Sequence, residues 1–218
     1  MADQQKPTLV ITGAAGGLGR ELSRVASDAG YHVYGVVRSD DDEVSSGTQK
    51  IIADLEDPEA VKAGFRAIAA DSQSSNIAVI ANAGKYVSLE VSEWTAEVFR
   101  DMWNANFITA LNTTIAAQEV FASGRVVYLL GQNAFEPNDG SGPYGVAKMA
   151  INRMVESLRL EDKGRPWDYS LIASGSINTW SDTAEPETID INEAAQEILR
   201  VALWNGTSAP AFLLMTPS

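Results

Sequence analysis

The sequence predicts a doubly wound α/β fold: a seven-stranded parallel sheet with helices on both faces. Three observations carry that prediction. Seven short apolar runs rich in β-branched residues recur along the chain, amphipathic helical stretches separate most of them, and a glycine-rich turn joins the first run to the first helix. Parallel neighbours need long crossovers, and right-handed crossovers place helices on both faces of the sheet. Strands buried on both sides then read as continuous apolar runs rather than alternating ones.

The first strand is Thr-Leu-Val-Ile-Thr at residues 8–12, closed by glycine. A helix follows over 18–29, where Leu18, Leu22, Val25, Ala26 and Ala29 recur at three- and four-residue steps and Gly30 supplies the stop. Residues 31–37 and 50–53 form the second and third strands. Asp57 and Pro58 then cap a helix through Val61, Phe65 and Ile68, with proline in its first turn. Residues 76–81 are the fourth strand, 95–120 one long helix, 125–130 the fifth strand and 144–160 the next helix. The last third repeats the unit with a strand at 169–173, a helix at 191–204 and a strand at 210–215.

The chain has 218 residues, a length for one domain spanning 1–218. Its 45% hydrophobic content suffices for a sizeable core and sets disordered and fibrous classes aside. Sixteen Lys and Arg against 29 Asp and Glu leave a net charge of −13, which repels nucleic acid and anionic membrane surfaces. With no Cys there is neither a disulfide framework nor a thiol nucleophile. His32, the only histidine, argues against a metal centre. The opening residues lack an apolar run and no membrane-length apolar stretch occurs, so the expected location is cytoplasmic. The acidic run 40–43 reads as a solvated loop.

Chemistry concentrates first in Thr12-Gly13-Ala14-Ala15-Gly16-Gly17-Leu18-Gly19. Between a strand and a helix, such glycines permit a tight turn, let backbone N–H groups approach a pyrophosphate and bring the helix against the sheet. The spacing Gly13, Gly17, Gly19 is wider in its first gap than the usual dinucleotide fingerprint and resembles the short-chain dehydrogenase/reductase family. Further matches stand in the family's order: Asp54, then Asn82-Ala83-Gly84, Asn106, Tyr144-Gly145-Val146-Ala147-Lys148, and the run from Ser174 and Gly175 to Thr179. Nearly the whole chain takes part.

The resemblance implies a Rossmann-type dinucleotide domain and NAD(P)-dependent reduction of a carbonyl, or oxidation of the alcohol. It implies that Gly13, Ala15, Gly17, Leu18 and Gly19 cradle the pyrophosphate, Asp54 and Leu55 flank the adenine, Asn82, Ala83 and Gly84 support the ribose side, and Thr179 reaches the nicotinamide carboxamide. An acid at the end of the second strand would pair with a ribose 2′-hydroxyl; Val37 stands there instead, and Arg38 and Ser39 follow. A guanidinium clamps phosphate, so NADP(H) is expected over NAD(H). Tyr144 and Lys148 share a helix face, and an adjacent ammonium favours the phenolate. By resemblance Tyr144 is the acid/base, Lys148 its modulator and holder of the nicotinamide ribose, and Asn106 the anchor of a water that links Lys148 to solvent. A homodimer or homotetramer built on the helices at 95–120 and 144–160 is also implied.

Three departures bear on this expectation. The family's serine, thirteen residues before the tyrosine, is replaced by Gly131, leaving Gln132 and Asn133 as amide donors in its place. Ser174 stands where proline usually precedes Gly175. Only residues 180–190 separate Thr179 from the next helix, a short lid that suggests an open cleft lined by Trp180 and Trp167. The leading expectation is a carbonyl reductase; the alternatives are a non-catalytic NAD(P)-binding regulatory protein and a non-redox lyase or isomerase.

Overall fold

A computed structural model describes residues 8–179, 187–204 and 210–217. Among them, seven parallel strands form one sheet in the order β3-β2-β1-β4-β5-β6-β7. The strands are β1 Thr8–Thr12, β2 Val33–Val37, β3 Thr48–Ile52, β4 Asn76–Ala81, β5 Ser123–Gly131, β6 Trp167–Ser174 and β7 Phe212–Met215. The helices are α1 Gly17–Asp28, α2 Pro58–Ser72, α3 Ala96–Trp103, α4 Thr109–Val120, α5 Gly142–Glu161 and α6 Ile191–Ala202.

Strand periodicity divides the core in two. Val10, Val79, Val126 and Leu171 face one layer with Phe65 and Ile68 of α2, Ala116 and Ala117 of α4, and Ile151 and Val155 of α5. Leu9, Ile11, Ile80, Val127 and Ile172 face the other, with Leu22 and Ala26 of α1 and Ala195 and Ile198 of α6. Burial on both sides explains the absence of polar alternation in β1, β2 and β4. Asp57 caps α2 as expected, its side chain accepting from the N–H groups of Glu59 and Ala60.

Local signals located most boundaries within two residues, and β1 and β4 agree at both ends. The expected second strand begins instead at Val33, leaving His32 exposed before it with its ring 4.7 Å from that of Tyr34. The single helix expected over 95–120 is interrupted. Between α3 and α4, Asn104–Ile108 is a π turn, closed by the Thr109 N–H donating to the carbonyl of Asn104. Its extra residue accompanies the inward seating of Asn106, which is fully buried. Trp167, expected near the cleft, lies at the opposite end of its strand and is buried in the core. No described helix is long and apolar enough to cross a membrane.

Candidate active site

In an open parallel sheet, ligands collect beyond the carboxyl ends of the strands where the winding reverses. Here that point lies between β1 and β4, neighbours in the sheet. Gly13 turns the chain out of β1 at φ 65°, and a Cβ there would meet Ala83 Cα at 2.9 Å. A Cβ on Gly19 would fall 2.2 Å from the carbonyl oxygen of Gly13, so only glycine lets the helix start so close to the turn. Gly16 offers no side-chain cap to α1. First-turn N–H groups have no acceptor within a helix, which leaves those of Gly17, Leu18 and Gly19 available for an anion. The loop geometry therefore fits a pyrophosphate. Arg20 braces it, donating to the carbonyl of Ala15 at 2.6 Å, and a Cβ on Gly17 would lie 3.0 Å from Thr179, which brings the expected pyrophosphate and carboxamide sites side by side.

The β2 end holds an unexpected contact. Arg38 and Ser39 are exposed, and their backbone N–H groups both donate to Asp42 Oδ2, at 3.1 and 2.9 Å. Part of the acidic run thus turns inward, onto donors where an added phosphate would compete. Asp54 is exposed, its carboxylate accepting from the Glu56 N–H at 3.0 Å, while Leu55 packs against the core. The carbonyl of Leu55 is held by Asn112 Nδ2 at 2.9 Å, a positioning contact 57 residues away in sequence. Sequence reading missed Asn112, which sits among buried threonines of α4.

Asn82 works on the loop itself. Its Nδ2 donates to the carbonyls of Thr12 and Gly13, at 3.0 and 3.2 Å, while the N–H groups of Asn82 and Ala83 both reach Thr12 Oγ1 at 3.1 Å. Gly84 allows the next approach: a Cβ there would lie 2.6 Å from Asn106 Oδ1 and 3.5 Å from Lys148 Nζ. Asn106 Nδ2 donates to the carbonyls of Lys85 and Met102, and its Oδ1 accepts the Lys85 N–H. With both amide hydrogens engaged, its side chain pins the loop beside Lys148.

Tyr144 and Lys148, one turn apart on α5, line a cavity of about 720 Å³ together with Asn82, Gly84 and Asn106. Lys148 Nζ lies 5.4 Å from the Tyr144 ring centre and donates to the carbonyl of Leu129 at 3.0 Å. Burial pulls the Lys148 ammonium down to about 8. Burial also pushes the Tyr144 phenol up to about 12, with the neighbouring Tyr86 adding to the rise. Desolvation of the phenolate by burial thus favours the neutral phenol, opposite in direction to the effect expected of an adjacent ammonium. Tyr86, also missed from sequence, stands edge-on to Tyr144 with ring centres 5.1 Å apart.

Gly131 ends β5 opposite Ser174 of β6, and both line the cavity. Gln132, Asn133 and Ala134 form a short 3-10 turn. Gln132 Nε2 donates to Glu136 at 2.8 Å, whereas the amide of Asn133 has no hydrogen-bond partner among the described residues and its Oδ1 is buried. Ser174 continues the strand pairing up to Met215, and the N–H of Gly175 donates to the carbonyl of Met215. Trp180 lies outside the described residues. No cluster of metal-ligating side chains occurs among the described residues.

A glycine turn at the switch point and a tyrosine–lysine pair in one cavity define a nucleotide-dependent oxidoreductase of the α/β class. The chain belongs to the short-chain dehydrogenases, whose family profile matches residues 7–190. An uncharacterized oxidoreductase of Mycobacterium tuberculosis is 31% identical over 183 residues, covering 80% of this chain and 71% of the relative. A 1-deoxy-11-beta-hydroxypentalenate dehydrogenase of Streptomyces avermitilis is 26% identical over 236 residues, covering 97% and 85%. In fold, a short-chain dehydrogenase from Streptomyces avermitilis superposes with a TM-score of 0.83 at 20% identity, covering 98% of this chain and 89% of that one. One from Vibrio parahaemolyticus gives 0.79 at 23% identity, covering 96% and 100%. The protein is therefore an NAD(P)-dependent short-chain dehydrogenase/reductase.

Proposed function

We propose that this chain is an NADP(H)-dependent carbonyl reductase, able to run in reverse on the alcohol. The observation that carries the reading is the convergence of Tyr144, Lys148, Gly84 and Asn106 on the same cavity as Leu18 and Thr179 from the glycine-turn side. Residues 13–19 would hold the pyrophosphate, with the backbones of Gly13, Ala15, Gly17, Leu18 and Gly19 as its wall. Asp54 and Leu55 would flank the adenine, Asn82, Ala83 and Gly84 the adjoining ribose side, and Thr179 the carboxamide. Arg38 and Ser39 support a 2′-phosphate, provided that Asp42 yields the two N–H groups that it occupies.

When bound, the nicotinamide supplies hydride to the carbonyl carbon. Tyr144 gives its hydroxyl proton to the carbonyl oxygen, and with its phenol near 12 it is in the donor form at neutral pH. Lys148, held to the carbonyl of Leu129 with its ammonium over the Tyr144 ring, would hold the nicotinamide ribose. Asn106 keeps residues 84–85 from drifting over that ammonium. Half-exposed apolar residues on the helices, Ile115, Val146 and Met149, support a homo-oligomer, which light scattering would weigh directly.

Tyr144→Phe tests the reading. Turnover should fall by at least about 100-fold, the lower end for loss of a general acid, while NADPH affinity holds within about twofold. Turnover that survives the substitution excludes Tyr144 as the acid. The replacement of serine by Gly131 favours a second reading, a nucleotide-binding regulator without catalysis. Tight NADPH binding with no turnover across aldehydes, ketones and alcohols would establish that one.

A further inference from the structure

We infer that Asn133 supplies the carbonyl-polarising N–H at this active site, in place of the side chain that Gly131 lacks. The inference rests on the reductase reading and identifies the group that completes it. A Cβ built on Gly131 would fall 2.4 Å from Asn133 Oδ1, 3.3 Å from its Cγ and 3.4 Å from Tyr144 Cε1. The Asn133 carboxamide therefore occupies the volume that a side chain at 131 would enter, next to the tyrosine ring. A side chain at 131 and the inward-seated Asn133 carboxamide compete for one volume, so a Cβ at 131 requires the amide to shift.

Hydrogen bonding points the same way. Buried polar atoms in folded proteins nearly always have a partner, and an exception calls for a reason. Asn133 Oδ1 is buried and has none among the described residues. Asn133 itself lines the cavity with Tyr144 and Lys148. Half a turn about the last side-chain torsion exchanges Oδ1 and Nδ2, so the amide presents either a donor or an acceptor at that place. Gln132 is unsuitable because its Nε2 is engaged by Glu136. The Asn133 backbone is also anchored: a Cβ on Gly145 would lie 2.9 Å from the carbonyl oxygen of Asn133, so the turn seats against the first turn of α5, one residue from Tyr144.

The chemistry balances without consuming the amide. The carbonyl carbon gains a C–H bond from the hydride of a reduced nicotinamide, and its oxygen gains the Tyr144 proton as the π bond breaks. The tyrosinate regains its proton from solvent. Asn133 Nδ2 keeps both hydrogens throughout and stabilises charge that grows on oxygen, a contribution typically worth about 100- to 1,000-fold in rate in a water-poor site.

The test uses the purified chain, NADPH or NADH, and 4-nitrobenzaldehyde as the probe carbonyl, with nucleotide affinity and melting temperature measured on every variant. Asn133→Ala should lower kcat by about 100-fold or more, as should Asn133→Asp, which keeps the shape but lacks an N–H donor. Nucleotide affinity should stay within about twofold for both. Gly131→Ser should raise kcat at least tenfold in the Asn133→Ala background and not raise it in the unmodified chain, because there the new Cβ displaces a working amide. That non-additivity is the signature of one shared place. Asn133→Ala with kcat within threefold of the parent, or Gly131→Ser raising the rate equally in both backgrounds, overturns the inference while Tyr144→Phe independently judges the reductase reading. A comparable loss found only in Ser174→Ala assigns the donor to Ser174 and overturns it too. If the unmodified chain turns over neither this probe nor a panel of aldehydes, ketones and alcohols with either nucleotide, both the reading and this inference fall.

Discussion

Replacing Lys148 by methionine should change how the stability of the unliganded protein responds to pH. The folded ammonium titrates at about 8 instead of its ordinary 10.5, and burial is the cause. A lowered lysine value means that the folded state releases its proton first. Below pH 8 both states are protonated and the folded state carries the full cost of the buried charge. Between pH 8 and 10.5 the unfolded chain binds more protons, so stability rises with pH across that window. At about 1.4 kcal/mol per unit, the 2.5-unit difference amounts to about 3 kcal/mol in all, of which two units fall below pH 10. Tyr144, raised to about 12, acts in the opposite sense only above pH 10. Urea unfolding of parent and Lys148→Met at pH 7 to 10 would therefore show the parent gaining between about 2 and 3 kcal/mol relative to the variant. The absence of cysteine removes thiol oxidation as a complication in alkaline buffer. Parallel pH profiles would refute the reasoning, because they would mean that Lys148 keeps an ordinary titration in the folded chain.

Other perturbations address the cofactor groove and its supports. Arg38→Ala should weaken NADPH far more than NADH, and equal losses in a parallel titration would remove the basis for the NADP(H) preference. Asp42→Asn keeps an acceptor for the Arg38 and Ser39 N–H groups but removes a charge, so NADPH should bind about three- to tenfold more tightly with NADH unchanged. Weaker NADPH binding in that variant would show that the carboxylate helps to build the site. Gly84→Ala should destabilise the fold by about 1–3 kcal/mol, because its Cβ would lie 2.6 Å from Asn106 Oδ1. Thermal melts that leave Gly84→Ala level with the parent would mean that Asn106 yields more easily than its three hydrogen bonds imply.

Much of this site was legible in the amino-acid order because the chemistry is local there. The glycines between β1 and α1 are dictated by backbone approach over a few residues, and Tyr144 and Lys148 share a helix face by spacing alone. The β1 and β4 strands were readable for the same reason, since burial on both faces leaves an unbroken apolar run. The π turn around Asn106 was not readable. Its partners are Lys85, 21 residues away, and Met102 within the helix, and no period in the sequence distinguishes a 3.6-residue turn from a wider one at a single point. The same holds for Asn112 on the carbonyl of Leu55.

Pattern along the chain pointed to the parallel sheet and the glycine turn, because steric allowance and periodic burial act between near neighbours, and the order of family-like motifs singled out Tyr144 and Lys148. Packing between distant segments settled the rest. It desolvated Tyr144, placed Asp42 on the N–H groups of Arg38 and Ser39, and engaged Gln132 with Glu136 while leaving the Asn133 amide without a partner among the described residues in the volume beside Gly131. Each of those outcomes depends on which atoms exclude water from which others, and that is a property of the folded arrangement rather than of residue order.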